Sequence, residues 1–188
     1  GGEGGTGAAP LEFSNHVGTP GIEGLIWVHN ALVGFGVRDR VKVLSAGKVS
    51  TGFDVIKRLA LGADACYAAR SMMLALGCIQ ALRCNSNKCP TGVATQDPGL
   101  VAGLDVTDKR RRVATFHRET MHSVAHLLGA MGLDHPAALR PWHVTRRVTP
   151  TDVRHYGELF EYLEPGQLLR APASTTWARA VARSPQSC

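Results

Sequence analysis

Residues 41–89 read VKVLSAGKVSTGFDVIKRLALGADACYAARSMMLALGCIQALRCNSNKC, and the order of elements in this stretch decides the fold class. Val41-Lys42-Val43-Leu44-Ser45 is a short β-branched run closed by Ala46-Gly47, which predicts a strand. Ser50-Thr51-Gly52-Phe53-Asp54 carries helix-start chemistry, and Val55, Ile56, Leu59, Ala60 and Leu61 continue an amphipathic helix to Gly62. Ala65-Cys66-Tyr67-Ala68-Ala69 predicts a second strand. Arg70 and Ser71 then open another helix that runs through Met72, Met73, Leu74 and Leu76 towards Cys78. Strand, loop, helix, strand, loop, helix within about forty residues is the pattern of βαβ units with parallel strands. The fold class is therefore α/β.

Upstream, Thr19-Pro20-Gly21 makes a turn, and Ile22, Leu25, Ile26, His29, Leu32 and Val33 recur at helical spacing as far as Gly34 and Gly36. Residues 1–10, GGEGGTGAAP, hold five glycines in the first seven positions, a loop that admits positive φ and close approach of a ligand to the backbone. Downstream, NSNKCPTGVATQDP (85–98) is loop-like. Residues 107–131 form the longest helical stretch, with Val113, Phe116, His117, Met121, Val124, Leu127 and Leu128 on one face and Gly132 as its stop. A helical turn follows from Asp134 to Leu139, and a short amphipathic piece runs from Tyr156 to Tyr162. The division expected is an α/β part over 1–100, a helical extension over 101–170, and a flexible tail over 171–188.

Composition excludes several classes. The 188 residues are 44% hydrophobic and 19% charged, a globular and not a disordered balance. They are too few for a closed (β/α)₈ barrel of about 250 residues. No apolar run reaches the roughly 20 residues of a membrane span, and no secretory signal opens the chain, so a cytoplasmic location and no membrane partner are expected. The net charge of +6 permits anion binding. Its one dense run, Lys109 to Arg112, reads as a solvated helix face, and no nucleic-acid motif accompanies it. The chain opens at Gly1 within a glycine-rich motif and without Met, which suggests a piece of a longer protein.

Two chemical signals stand side by side. The first is Cys78-x5-Cys84-x4-Cys89 followed by Pro90. Three thiolates on a short loop, with a proline after the last, suit an iron–sulfur core. Asn85, Ser86, Asn87 and Thr91 offer groups that could bond to cluster sulfur. Zinc ribbons want C-x2-C pairs instead, so zinc and three free thiols remain as weaker readings; Cys66 falls on a strand and no fourth ligand is evident. The second signal is a strand ending at Ser45-Ala46-Gly47-Lys48, a helix, and a strand ending at Ala69-Arg70-Ser71. This resembles the seventh and eighth βα units of phosphate-binding barrels, where backbone N–H groups of both loops and a helix N-terminus hold the phosphate. A plain βαβ turn is the structural alternative. Among the other polar residues, His122 and His126 stand at i, i+4 without the glutamate of a zincin, and His117 joins them on a helix face. His16 lies near the glycine-rich opening, and Met72 and Met73 read as core.

Together GGEGGTGAAPLEFSNHVGTP (1–20) and STGFDVIKRLALGADACYAARSMMLALGCIQALRCNSNKCPTGVATQDP (50–98) resemble the FMN-binding domain of glutamate synthases, closest to the stand-alone or archaeal-type form. The likeness is dense over about 1–100 and looser to Gly166. It implies the C-terminal part of a (β/α)₈ TIM barrel, followed by an iron–sulfur loop and a helical C-terminal extension. It implies FMN, its phosphate held by Ser45, Gly47, Lys48, Ala69, Arg70 and Ser71, and a [3Fe-4S] cluster ligated by Cys78, Cys84 and Cys89. The activity implied is that of an oxidoreductase acting on CH–NH2 donors. Electrons pass through the cluster to FMN, ammonia condenses with 2-oxoglutarate, and hydride delivery gives L-glutamate. Implied partners are 2-oxoglutarate, ammonia or glutamine-derived nitrogen, a ferredoxin or NAD(P)H-linked electron donor, and a glutaminase subunit. The glutaminase part and the family's earlier barrel strands have no counterpart here, so the catalytic residues are expected upstream of Gly1. The alternatives are a truncated, non-catalytic cofactor-binding fragment and a piece of an inosine-monophosphate-dehydrogenase-like barrel. The latter would carry one nucleophilic cysteine after its phosphate loops, not three.

Overall fold

A computed structural model describes Glu12 and residues 16–182. The glycine-rich loop 1–10, with Glu3 and Thr6, lies outside the described residues, as do Ser14, Asn15 and Cys188. Helix α1 (Gly21–Gly34) is followed by a 3₁₀ turn at Arg38–Arg40. Then come β1 (Leu44–Ser45), α2 (Gly52–Ala60), β2 (Ala65–Cys66) and α3 (Ala69–Leu76). After the cysteine loop stand α4 (Pro98–Val101), the long α5 (Val106–Ala130), and 3₁₀ turns at Pro136–Ala138 and Pro141–His143. A hairpin of β3 (Thr145–Thr149) and β4 (Asp152–His155) leads into α6 (Tyr156–Leu159), α7 (Gln167–Arg170), a 3₁₀ turn at Pro172–Ser174 and α8 (Ala178–Ala182).

The βαβα order expected from residues 41–89 is present: β1 and β2 are parallel neighbours, Leu44 opposite Ala65 and Ser45 opposite Cys66. Both strands are shorter than the five-residue runs in the sequence. The amide of Val43 goes to the Asp64 carboxylate at 2.7 Å instead of to a ladder, and that of Val41 closes the preceding turn on the Arg38 carbonyl. At the other end Ala69 already belongs to α3. Leu44 and Tyr67 are exposed, so this two-stranded sheet has an uncovered face.

Helix α2 starts where its chemistry dictates. Thr51 Oγ1 accepts from the Asp54 amide at 3.1 Å, and the Asp54 carboxylate takes the N–H of Thr51 at 3.0 Å, a capping box. Burial pushes the Asp54 carboxyl up, but the hydrogen bonds from Thr51 and Ser50 outweigh it and hold the group below the ordinary range. The core lies where α2 meets α1, α5 and the chain after α5. Leu25, Ile26, Ile56, Leu61, Val124, Leu128 and Val144 are buried there, each contributing about 1.5–3 kcal/mol. Of the face expected on the long helix, only Val124 and Leu128 are fully buried, while Met121 and His117 face outward. The upper half of α5 packs on α3 rather than into this core.

The extension is not purely helical. The β3–β4 hairpin was invisible in the sequence because all five residues of β3 are exposed, which leaves no alternation to read. Residues 161–168 fold back on α1. Buried Asn30 donates to the Glu161 carbonyl at 2.8 Å and accepts from the Leu163 amide at 3.0 Å. Gly34 leaves no room for a side chain beneath Leu168. Residues 172–182, expected as the start of a flexible tail, carry the last 3₁₀ turn and α8.

One junction should make stability depend on pH. Arg38 donates to His29 Nδ1 at 3.2 Å, to the Gly62 carbonyl at 2.9 Å and to the Asp64 carboxylate at 2.8 Å. Burial, and then the Arg38 cation, hold His29 below its ordinary value of 6.5. The unfolded chain therefore binds the extra proton first as the pH falls, so stability is complete above about 6.5 and declines below it. Thermal unfolding followed from pH 7.5 to 5.5 should show a falling midpoint that His29→Gln flattens; an unchanged slope in the variant would contradict the assignment.

Candidate functional site

The loops after β1 and β2 are joined. Ser71, buried in the first turn of α3, donates its hydroxyl to the Val49 carbonyl at 2.9 Å. The loop after β1 turns through two residues with positive φ, Gly47 (96°) and Lys48 (49°), and the glycine makes this turn feasible. Ser45 is buried at the end of β1, and its carbonyl accepts the Tyr67 amide at 2.8 Å. Lys48, Ala69 and Arg70 are exposed around this junction. Helix α3 has Ala68 as its N-cap and no side-chain cap, and the positive end of its dipole favours an anionic group there. The N-terminus of α2 is different: the amides of Ser50 and Thr51 are already taken by Asp54.

Arg58 fixes the loop from beneath. It is 3% exposed and donates to the carbonyls of Gly47 and, at 3.3 Å, Asp54. Sequence reasoning missed it, since Lys57-Arg58 reads as the polar side of an amphipathic helix. The available signal was its place one turn after Asp54.

The cysteine loop starts where Gly77 ends α3 in a left-handed cap. Gln80 (φ 56°), Leu82 (53°) and Asn87 (58°) take left-handed backbone as well. Each such residue costs about 1–3 kcal/mol and concentrates at functional sites. Cys78 and Cys84, both half-buried, line one cavity of about 250 Å³ together with Arg70, Met73, Gln80 and Ala94. Met73, read as core, is thus on the wall of the site. The Gln80 amide donates to Cys78 Sγ at 3.4 Å. Cys89 is buried, with Thr91 Oγ1 3.4 Å from its sulfur. The Thr91 hydroxyl, and then the amides of Ala94 and Thr91, bring the Cys89 thiol down to about 7, which favours the thiolate that binds metal. Ala94 connects the two regions: it lines the cavity and its amide reaches Cys89.

Among the described residues, no three His, Cys, Asp or Glu side chains gather as ligands of a single ion. Of the polar residues expected near cluster sulfur, Asn87 Oδ1 accepts from the Gln96 amide (2.6 Å) and the Thr95 hydroxyl, and the Ser86 hydroxyl donates to the Arg83 carbonyl (2.9 Å). These bonds staple the loop, and the Thr91 hydroxyl lies against a cysteine sulfur. Cys66 stands apart on β2, its thiol pushed up by burial. The rings of His122 and His126 are 4.2 Å apart on α5, and His16 is exposed.

A family model described as a conserved region in glutamate synthase matches residues 1–134. This chain belongs to the glutamate synthase family. It is 40% identical over 147 residues to the glutamate synthase large subunit-like protein YerD of Bacillus subtilis, which covers 78% of this chain and 28% of that protein. It is 41% identical over 138 residues to the archaeal glutamate synthase [NADPH] of Methanocaldococcus jannaschii, covering 73% of this chain and 27% of the relative. Ferredoxin-dependent glutamate synthase 2 of Synechocystis is 42% identical over 98 residues, 52% of this chain and 6% of that one. The chain thus spans little more than a quarter of the length of the first two relatives. The matched part of the chain contains both βα loops and the whole cysteine loop. No helix among the described residues is long and apolar enough to cross a membrane.

Proposed function

We propose that this chain forms the flavin-phosphate and iron–sulfur end of a glutamate synthase. The observation that carries the reading is the position of Arg70. It stands in the first turn of α3, at the junction of the two βα loops, and it also lines the cavity of Cys78 and Cys84. The shared Arg70 supports a reading in which the two sites are neighbours, a redox centre beside a phosphate group.

In this proposal the FMN phosphate lies at the N-terminal end of α3 and against the backbone of Gly47 and Lys48, with Ser71 holding the two loops at their spacing. Ser45 and Ala69 shape the two strand ends. Cys78, Cys84 and Cys89 hold a [3Fe-4S] cluster, a polynuclear core in which each iron takes its own thiolate, so the three sulfurs need not converge on one atom. The donors on Cys89 stabilise its thiolate form. FMN and the cluster, when bound, supply the electrons for reductive amination of 2-oxoglutarate to L-glutamate. The chain's own share is to fix the phosphate, hold the thiolates and keep the two groups adjacent. The strand pair β1–β2 is proposed as two neighbouring strands of a (β/α)₈ barrel completed by sequence upstream. The ammonia source, the electron-donating partner and the carboxylate substrate bind in that larger assembly.

The test is FMN binding by the purified chain, followed by flavin fluorescence. Ser71→Ala removes the bond between the loops and leaves the Val49 carbonyl buried without its partner, worth about 1–3 kcal/mol. FMN affinity should fall about tenfold or more, while riboflavin, which lacks the phosphate, should bind the parent and the variant alike. Equal loss for both flavins would contradict a phosphate site here.

A further inference from the structure

We propose that the cleft between the α1–α2 side of the molecule and residues 135–162 binds a nucleotide-sized organic anion, its planar ring against Trp142 and its anionic group on Arg140. The cleft measures about 990 Å³, at the upper end of the range for small-molecule sites. His29, Arg38 and Asp64 on one wall lie within the family match, which ends at residue 134. The opposite wall, from His135 to Tyr162, lies beyond it and apart from the cysteine loop.

The walls offer mainly donors. Arg140 is anchored by one nitrogen: Nη1 donates to the carbonyls of Ala137 and Leu139, both at 2.7 Å, and its own amide is held by His143 Nδ1 at 2.9 Å. Its Nε and Nη2 remain available, and none of the ion pairs among the described residues includes it. A guanidinium fixed along one edge and open along the other is a ready fork for a phosphate or carboxylate. His135 Nδ1 accepts the Ala137 amide at 3.0 Å, which leaves Nε2 as its donor. The Tyr162 hydroxyl is buried without a partner.

The carboxylates do not cancel this. Asp64 is paired with Arg38 at 2.8 Å and Lys42 at 3.6 Å. Glu161 takes the Thr176 amide and hydroxyl on Oε2 and keeps Oε1 free, an acceptor suited to a sugar hydroxyl. Trp142 is 57% exposed at the cleft, an indole face open to stacking. A bare phosphate leaves that face and most of the volume unused. A ring, a sugar and one phosphate match the stacking face, the free acceptor and the fork together.

The experiment is equilibrium dialysis of adenosine 5′-monophosphate, without FMN, against the purified chain and in parallel against Ser71→Ala, which weakens the proposed flavin-phosphate site; equal binding by the two makes this result independent of the proposed function. Saturable binding at one site per chain is expected. Inorganic phosphate and adenosine should each compete at least tenfold more weakly than unlabelled nucleotide. Arg140→Gln and, independently, Trp142→Ala should each weaken binding about fivefold or more, with far-UV circular dichroism unchanged. Absence of saturable binding overturns the proposal, as does binding that both variants leave untouched. Phosphate competing as well as the nucleotide overturns the role of the ring.

Discussion

Cys89→Ser should lower the iron retained after anaerobic reconstitution about tenfold or more, with the helical content of the chain unchanged. The reason is the state of this sulfur. Hydrogen bonding by the Thr91 hydroxyl and the amides that follow brings the thiol to about 7, so near neutral pH a large fraction is already the thiolate needed for ligation. A serine hydroxyl at the same place keeps its proton and is a far weaker ligand for iron. Cys66→Ser is the control. That residue lies on β2 with its thiol pushed up by burial, and its replacement should leave iron content as in the parent. Thr91→Val separates position from electrostatics: iron should still bind, but removal of the donor disfavours the more negative, reduced cluster and lowers its potential. Iron content unaffected by Cys89→Ser would remove Cys89 from the ligand set.

Gly62→Ala should destabilise the fold by about 3 kcal/mol, combining overpacking with a left-handed backbone that alanine resists. Gly62 has φ +109°, and a Cβ there would lie 2.3 Å from the His29 ring. The ring cannot easily retreat, because Arg38 is bonded to His29, to the Gly62 carbonyl and to Asp64 at once. For a chain of this size the unfolding midpoint should fall by about 6–12 °C. Gly132→Ala is the matched comparison. Its φ is also positive, at 71°, but nothing lies within 4 Å of the new methyl, so only the backbone term remains, about 1–2 kcal/mol. Equal shifts for the two variants would show that the His29 contact carries no weight. The damage should also reach the site, since residues 62–64 feed β2 and the loop that follows it.

The sequence made the centre of the molecule legible and its periphery much less so. The βαβα order of 41–76 could be read because each element carries its own local signal: a capping box at Thr51, apolar spacing through Ile56 and a glycine stop at Gly62. The cysteine spacing drew attention to the loop in which Gln80, Leu82 and Asn87 take left-handed backbone and which opens to a cavity shared with Arg70. What was hidden depends on contacts far apart in the chain. Arg58 looks like a solvated helix residue until the Gly47 carbonyl is placed above it. Ser86 looks like a cluster donor until the loop closes and its hydroxyl turns to the Arg83 carbonyl. The β3–β4 hairpin has no buried face, so no hydrophobic alternation announces it. Asn30 is one polar residue in an apolar helix, and only the return of residues 161–163 explains its burial.

The most direct test of the central claim is an anaerobic determination of iron, sulfide and flavin on one reconstituted sample of the chain, with electron paramagnetic resonance of its oxidised state. The account predicts about three irons per chain with the signal of an oxidised three-iron cluster, and FMN bound in the same sample. A single mononuclear metal per chain, or iron that persists when Cys78, Cys84 and Cys89 are all replaced by serine, would contradict it.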